Sequence, residues 1–278
     1  MKKLAALLMA LTMGLLTLRA EADVLVLAHG YLSDAITWER SGVIPILEKH
    51  GWQRAGLVRS TPHGVQILPA HNADANAKNR IYTVELPATA PVGFQTEHYQ
   101  AMVHHIAKQH PKEKLVLVGH SVGGLVSRLA LVRGMVPRAS ALITIATPHL
   151  GTPRAEQALD VSDESGMFGP VKNFFGGGGY QTLRYSRGLY IDLVRPFPGS
   201  MLFWLNAQQH PEKVKFISVV RSGGAFSLFG GDSLVPPYSQ DMNNVPSLRG
   251  SATLYLSKGG HELNPGDGVL LSRILKQL

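Results

Sequence analysis

The amino-acid sequence predicts an α/β fold with a mostly parallel central sheet, helices on both of its faces and one inserted segment. Three observations support this prediction. Short runs of aliphatic and β-branched residues recur along the chain, as expected for strands that are buried on both faces. Amphipathic helical patterns separate most of these runs. Residues 151–200 then interrupt the alternation.

The predicted strands are apolar runs that end at glycine, proline or polar residues. The first run, VLVLA at residues 24–28, ends at His29 and Gly30. In chain order the strands are expected at residues 24–28, 57–58, 81–84, 115–118, 141–146, 214–220 and 253–256. Parallel strands bring their carboxyl ends to one edge of the sheet, and ligands bind beyond that edge.

The predicted helices carry apolar residues three and four positions apart. In residues 96–109, one face holds Tyr99, Met102 and Ile106, and Pro111 follows the end of the pattern. The other helices are expected at residues 41–50, 122–133 and 269–275.

The chain is long enough for one large domain. Its 278 residues are 45% hydrophobic and 17% charged, so a single core over residues 23–278 is expected. Residues 154–204 are predicted to form the inserted segment. Nine of the twenty aromatic residues lie between Met167 and Trp204. This enrichment fits a mobile cap over an apolar pocket, and equally an insertion with a small core of its own.

The first 22 residues have the pattern of a secretory signal peptide. Lys2 and Lys3 precede an apolar run over residues 4–18, and Ala20-Glu21-Ala22 forms a small-residue cleavage site before Asp23. The alternative is a membrane anchor, but the run is shorter than the roughly 20 residues that span a bilayer. We therefore expect an exported protein, periplasmic or extracellular, with no integral membrane anchor after cleavage.

Composition excludes several classes of function. The chain has no cysteine, so disulfides, thiol catalysis and cysteine zinc sites are impossible. The net charge is +8, but the basic residues are scattered, so no nucleic-acid partner is expected. Transient contact with an anionic lipid surface is possible. The sequence contains neither an H-E-x-x-H metal motif nor a phosphate-binding P-loop.

The segment GHSVG at residues 119–123 lies between a predicted strand and a predicted helix. A strand that passes directly into a helix requires a tight, strained turn, and the side chain at its apex projects above the sheet. Gly119 and Gly123 leave room for such a turn. The helix that starts behind Ser121 favours developing negative charge. The sequence therefore predicts Ser121 as an exposed nucleophile.

A serine nucleophile requires a histidine base that is oriented by a carboxylate. After an elbow of this kind, the acid and then the histidine follow in chain order. Asp232, in a loop after the strand at residues 214–220, is the first candidate for the acid, and Asp241 is its competitor. His261 follows a late strand and is the candidate base. His149 and His210 also follow Ser121, but they precede both candidate acids.

The tetrahedral intermediate of such a reaction needs two N–H donors. One is the backbone N–H of Val122, which follows the nucleophile, and the other is expected from Tyr31 in the loop after the first strand. His29 is expected to brace that loop by hydrogen bonds. We predict that the substrate contacts His29, Gly30, His120, His149 and Leu150.

Three segments carry a resemblance to a known family: LAHGY at residues 27–31, GHSVGG at 119–124 and ATPHLGT at 146–152. Together they resemble the α/β-hydrolase superfamily, and in particular bacterial secreted lipases and esterases. The resemblance covers residues 23–153 and is thinner at residues 230–262. It implies the α/β-hydrolase fold, Ser121, Asp232 and His261 as a catalytic triad, and Tyr31 and Val122 as oxyanion donors.

The resemblance also implies an activity. We predict a secreted serine hydrolase of lipase or carboxylesterase type that cleaves lipid or acyl esters without a cofactor. Many such lipases carry a disulfide and a calcium site, but this chain has no cysteine, and Glu262 and Asp267 do not form a convincing calcium pair. No metal is therefore predicted. A thioesterase, an acyltransferase or a glycolipid deacylase would use the same triad, and a non-catalytic binding protein on this scaffold is an alternative of another class.

Overall fold

The fold is given by a computed structural model, which describes residues 23–74, 76–162, 180–222 and 232–278. The predicted signal peptide, residues 1–22, lies outside the described residues, as does the middle of the predicted inserted segment. Within the described ranges, no helix combines the length and the apolar character needed to cross a bilayer.

Eight strands in the described chain form a single sheet with the spatial order β3-β2-β4-β1-β5-β6-β7-β8. The strands are β1 (Asp23–Ala28), β2 (Gln53–Thr61), β3 (Gly64–Pro69), β4 (Arg80–Glu85), β5 (Lys114–His120), β6 (Ala139–Ile145), β7 (Lys215–Ser222) and β8 (Ala252–Lys258). All neighbouring pairs are parallel except β2 with β3, which form an antiparallel edge. The mostly parallel sheet predicted from the sequence is confirmed.

The helices cover both faces of this sheet. They are α1 (Thr37–Arg40), α2 (Val43–Lys49), α3 (Val92–Gln109), α4 (Val122–Val132), α5 (Pro153–Ser162), α6 (Tyr180–Tyr185), α7 (Arg187–Leu193), α8 (Met201–Ala207), α9 (Pro237–Gln240) and α10 (Pro265–Leu275). Side chains of β1 alternate between two cores, because successive residues of a strand point to opposite faces. Val24 and Val26 pack with α3 and α4, whereas Leu25 and Leu27 pack with α2 and α10. This double burial explains the uninterrupted apolar run.

Local patterns predicted some helix boundaries wrongly. The helix expected at residues 41–50 is α2, which starts at Val43 because Gly42 has a left-handed φ of 79°, and the short helix α1 before it was not predicted. Helix α3 starts at Val92 instead of residue 96, and Asp192 of α7 accepts the Val92 N–H at 2.7 Å. Helix α10 starts at Pro265 instead of residue 269, because Asn264 and Asp267 form a capping box.

The inserted segment between β6 and β7 contains α5 to α8 in its described parts. In these described parts, buried apolar side chains join the core of the main domain. Leu189, Leu202 and Leu205 are fully buried in the same cluster as α3, α4 and the sheet. The described part of the insertion is therefore packed onto the main domain.

Candidate active site

Ser121 stands alone between the end of β5 and the start of α4. Its backbone has φ 52° and ψ −125°, a combination that residues with a Cβ rarely adopt. The Ser121 N–H donates to the carbonyl oxygen of Ile145 at 2.9 Å, which ties the turn to the end of β6. The turn predicted at the GHSVG segment therefore has the strained geometry of a nucleophile elbow.

Two glycines allow the loop after β1 to lie against this turn. A Cβ on Gly30 would come within 2.8 Å of the Ser121 Cβ. A Cβ on Gly123 would come within 2.5 Å of the carbonyl oxygens of Ala28 and His29. Real Cβ atoms do not make contacts this short, so larger residues at these positions would push the loop and the elbow apart.

Ser121, His261 and Asp232 form one chain of hydrogen bonds. The His261 Nε2 lies 2.9 Å from the Ser121 Oγ, and the His261 Nδ1 lies 2.8 Å from the Asp232 Oδ2. The Asp232 side chain is fully buried, and that of His261 is 10% exposed. The competing acid, Asp241, instead accepts from the backbone and side-chain nitrogens of Asn243. The structure thus brings together the three side chains selected from the sequence.

The environment of Asp232 keeps its carboxylate ionised. Burial raises the pKa of Asp232, but hydrogen bonds from His261, Val235 and Leu234 outweigh this effect, so the pKa is lowered overall. The two backbone N–H groups reach Oδ1 at 2.8 Å and 3.0 Å. An ionised carboxylate accepts a hydrogen bond from the N–H of the imidazole and thereby fixes the orientation of the ring.

The loop that carries His261 is held by a buried ion pair. The guanidinium of Arg221, at the end of β7, contacts both carboxylate oxygens of Asp267 in α10, at 2.5 Å and 2.9 Å. It also donates to the carbonyl oxygen of Glu262 at 3.1 Å. The Arg221 and Asp267 side chains are both fully buried. This pair therefore fixes the chain directly beside His261.

His120 supports the same loop from β5. Its Nε2–H donates to the carbonyl oxygen of His261 at 2.8 Å, and the two rings are 5.1 Å apart. Burial is the main cause that lowers the pKa of His120 to about 3, and the nearby charge of His261 is the second cause. His120 is thus neutral at ordinary pH and adds no positive charge beside His261.

Val122 and Tyr31 are the candidate oxyanion donors. Val122 is the first residue of α4, and N–H groups in the first turn of a helix have no carbonyl partner within that helix. Both residues line a cavity next to Ser121. The Tyr31 hydroxyl lies 2.5 Å from that of Tyr190 in α7, so the inserted segment contacts the loop after β1.

The cavity beside Ser121 has a volume of about 480 Å³ and contains His261 in its wall. One group of lining residues, from the inserted segment and its neighbours, is largely apolar: Val122, Pro148, Ala155, Tyr190, Leu193, Leu234 and Val235. A second group, near α1, is polar: Ser33, Thr37 and Arg40. Such a cavity suits a ligand with both an apolar and a polar part.

His29, His149 and Leu150, which were predicted to contact substrate, do not line this cavity in the described part of the chain. His29 is buried, donates from Nδ1 to the Gly30 carbonyl and accepts the Leu86 N–H at Nε2. It therefore braces the loop after β1. Gly30 and His120, from the same group of predicted contacts, do line the cavity.

His149 and Leu150 belong to the scaffold beneath the cavity. Burial, followed by the charge of Arg128, lowers the pKa of His149 well below its usual value, and its Nδ1 accepts from Arg128 at 2.9 Å. Leu150 packs against the main core and donates its N–H to Ser239 at 3.0 Å. The proline in this loop, Pro148, is the residue that faces the cavity.

Sequence reasoning missed several residues that hold the site. Gln240, Arg221 and Tyr190 contact Asp232, the His261 loop and Tyr31 respectively. Each contact joins different elements of the fold, and none belongs to a local motif. The only available signal was the position of Arg221 at the end of a strand beside the acid loop. Among the described residues, no group of three histidine, aspartate or glutamate side chains could hold a metal ion.

Solved structures share this fold at low sequence identity. The mature lipase BlEst2 of Bacillus licheniformis is 16% identical with a TM-score of 0.61, covering 93% of this chain and 92% of that chain. The product of gene lin2722 of Listeria innocua is 14% identical with a TM-score of 0.59, covering 92% and 94%. The metagenomic carboxyl esterase MGS0156 is 15% identical with a TM-score of 0.54, covering 93% and 77%.

Sequence comparison adds a shorter match. The model of the PGAP1-like alpha/beta domain family matches residues 89–165, which run from just before α3 to just past α5 and include Ser121. No curated protein sequence is significantly similar to this chain. Together the matches confirm the predicted fold: the chain has the fold of the α/β-hydrolase superfamily.

Proposed function

We propose that this protein is a serine hydrolase of carboxylic esters, with Ser121 as nucleophile, His261 as base and Asp232 as the orienting acid. The observation that carries the proposal is the continuous hydrogen-bonded chain from Ser121 Oγ through His261 to Asp232. The strained elbow and the adjoining cavity support it. Structures of similar fold include a lipase and a carboxyl esterase, which agrees with this class of reaction.

The proposed reaction has two halves. Ser121 Oγ attacks the ester carbonyl carbon while its proton passes to His261 Nε2, and the N–H groups of Tyr31 and Val122 stabilise the oxyanion. The C–O bond then breaks, and the leaving alcohol takes the proton from His261. Water attacks the resulting acyl-Ser121, gives its proton to His261, and releases the acid as the proton returns to Ser121. Asp232 remains ionised throughout and stabilises the imidazolium.

The apolar part of the cavity favours an acyl or lipid-like ester over a small polar one. Val122, Leu193 and Val235 offer aliphatic surface close to Ser121. We also propose that the protein is exported, on the basis of the basic and apolar segments in residues 1–22. Hydrolysis would then take place in the periplasm or outside the cell.

Labelling with a fluorophosphonate probe tests the mechanism without knowledge of the substrate. We expect the probe to modify Ser121, as located by mass spectrometry of the purified protein. Ser121→Ala should abolish labelling and ester turnover, and His261→Ala should slow turnover by a factor on the order of 10⁴ or more. Ser272→Ala, which removes a buried hydroxyl from α10, serves as the matched control and should leave both unchanged.

The labelling result also distinguishes the proposed esterase from the alternative functions. A folded protein whose Ser121 stays unlabelled, with or without detergent, would favour a non-catalytic binding protein on this scaffold. If labelling succeeds, p-nitrophenyl esters from acetate to palmitate report the preferred acyl chain. Thioester substrates and added alcohol acceptors then distinguish an esterase from a thioesterase or an acyltransferase.

A further inference from the structure

Gln240, the last residue of α9, makes three buried hydrogen bonds with its side-chain amide. The Nε2 group donates to the Asp232 Oδ2 at 3.0 Å and to the Val235 carbonyl oxygen at 2.7 Å. The Oε1 accepts the backbone N–H of Arg221 at 2.8 Å. This one amide therefore joins the end of β7 to two residues of the loop that carries the acid.

Gln240 donates to the carboxylate oxygen of Asp232 that also binds His261. Asp232 Oδ2 is the same atom that accepts from His261 Nδ1. The other oxygen, Oδ1, is held by the backbone N–H groups of Leu234 and Val235. With Gln240 in place, the described structure fixes the carboxylate plane from both sides, so Oδ2 points at the imidazole.

We infer that Gln240 is a positioning residue for the triad, which orients Asp232 and supplies a second donor to the oxygen that binds His261. This inference rests on the proposed function, because it assigns Gln240 a role in the activation of Ser121. Gln240 acts through Asp232 and does not contact the reacting atoms. It is one of only two side chains, with His261, that donate to Asp232 in the described part of the chain.

Charged and titratable groups surround this contact on several elements. His261 faces Asp232 from the loop after β8, and neutral His120 lies behind His261 on β5. The Arg221 guanidinium on β7 is compensated by Asp267 of α10. A new carboxylate at position 240 would therefore have Asp232 as its direct neighbour, and two carboxylates in contact resist simultaneous ionisation.

Two substitutions at position 240 test the inference. Gln240→Met keeps the volume but removes all three hydrogen bonds, and we expect the rate of Ser121 labelling and kcat to fall about tenfold with little change in KM. The expected loss is far below that from removal of the Asp232 carboxylate, because in Gln240→Met this carboxylate retains its three other donors. The matched control is Gln95→Met, because Gln95 is equally buried in α3 and donates to the Ala90 carbonyl oxygen at 2.7 Å.

Gln240→Glu adds a second measurement, the pH dependence of the labelling rate, which would not change if Gln240 had only a structural role. At low pH, the introduced carboxyl group keeps its proton and can donate it to Asp232 Oδ2, in place of the amide N–H. As pH rises, that proton is lost and a second negative charge replaces the donor. The labelling rate of Gln240→Glu relative to wild type should therefore fall with rising pH. The relative rate of Gln240→Met should stay low and flat.

The outcomes separate this inference from the proposed function. If wild-type Ser121 is not labelled, the proposed function fails and the inference fails with it. If wild type is labelled and Gln240→Glu follows the wild-type rate at every pH, only the role of Gln240 is overturned. Should Gln240→Met fail to fold, the pH series of Gln240→Glu decides alone. Equal slowing in Gln95→Met and Gln240→Met, with a flat Gln240→Glu ratio, would reduce Gln240 to a stabilising residue.

Discussion

At the scale of single residues, the site depends on a close contact between Gly30 and Ser121. The absence of a side chain at Gly30 lets the loop that presents Tyr31 approach the elbow. The strained φ of Ser121 turns its Cβ toward that loop. The backbone at Gly30 therefore packs directly against Ser121, and there is no room for a methyl group between the two residues.

Gly30→Ala should push the loop after β1, which carries the proposed oxyanion donor Tyr31, away from Ser121. The new Cβ would lie 2.8 Å from the Ser121 Cβ, so the loop must shift, and a misplacement of about 1 Å can reduce turnover about a hundredfold. The measurement is kcat/KM on a p-nitrophenyl ester, together with thermal unfolding. Gly93→Ala is the control: its Cβ meets only Arg133 at 3.9 Å, so this substitution should leave kcat/KM unchanged. Unchanged kcat/KM in Gly30→Ala would contradict the proposed oxyanion loop.

At the scale of elements, the loop between β8 and α10 is fixed by the Arg221–Asp267 pair rather than by its own sequence. Asp267 also accepts the backbone N–H of Asn264 at 2.9 Å, so one carboxylate caps α10 and binds the arginine. His261 lies in the loop between these anchors and β8. The position of His261 is thus determined by a contact between strand β7 and helix α10.

Asp267→Asn should destabilise the protein by about 3–5 kcal/mol, because it leaves the buried Arg221 guanidinium without a countercharge. Urea unfolding followed by circular dichroism gives the change in free energy. Glu156→Gln breaks the exposed pair with Arg195 and should change the free energy of unfolding far less, because solvent screens this pair. A similar small effect in both variants would show that the buried pair does not hold the loop.

The strands and the candidate triad illustrate how much of the structure could be predicted from the sequence. Apolar runs located seven of the strands, and the strand–turn–helix pattern with chain order selected Ser121, Asp232 and His261. Strand β3 was missed because the β2–β3 hairpin lies at the sheet edge, where polar residues such as Arg59 and Gln66 mask the strand pattern. Gln240 and Arg221 were missed because their roles arise from contacts between separate elements of the fold.

At the scale of the whole molecule, buried histidines make stability depend on pH. Burial lowers the pKa of His120 to about 3 and that of His210 to about 4, and it lowers the pKa of His149 well below its usual value. In the unfolded chain these groups bind protons below about pH 6.5. Stability is therefore full above that pH and falls as the pH decreases toward the folded values. The lowered pKa of Asp232 acts only below about pH 4, so it does not offset this loss.

The free energy of unfolding should decrease by about 4 kcal/mol or more between pH 7.5 and pH 5. His120 and His210 each account for about 2 kcal/mol of this change, and His149 adds to it in the same direction. Urea titrations at several pH values measure the slope. His210→Gln should make the slope shallower, whereas His104→Gln, at an exposed position on α3, should not change it. A pH-independent free energy would contradict the assignment of these histidines as neutral in the folded protein.

The separation of 140 residues between Ser121 and His261 has a consequence for biosynthesis. A ribosome that adds 5–20 residues per second needs on the order of ten seconds to travel from one codon to the other. During that interval the growing polypeptide contains the elbow serine but not the imidazole that would activate it. Any fragment released before residue 261 carries the same deficiency. The proposed triad is thus incomplete until the last tenth of the chain is translated.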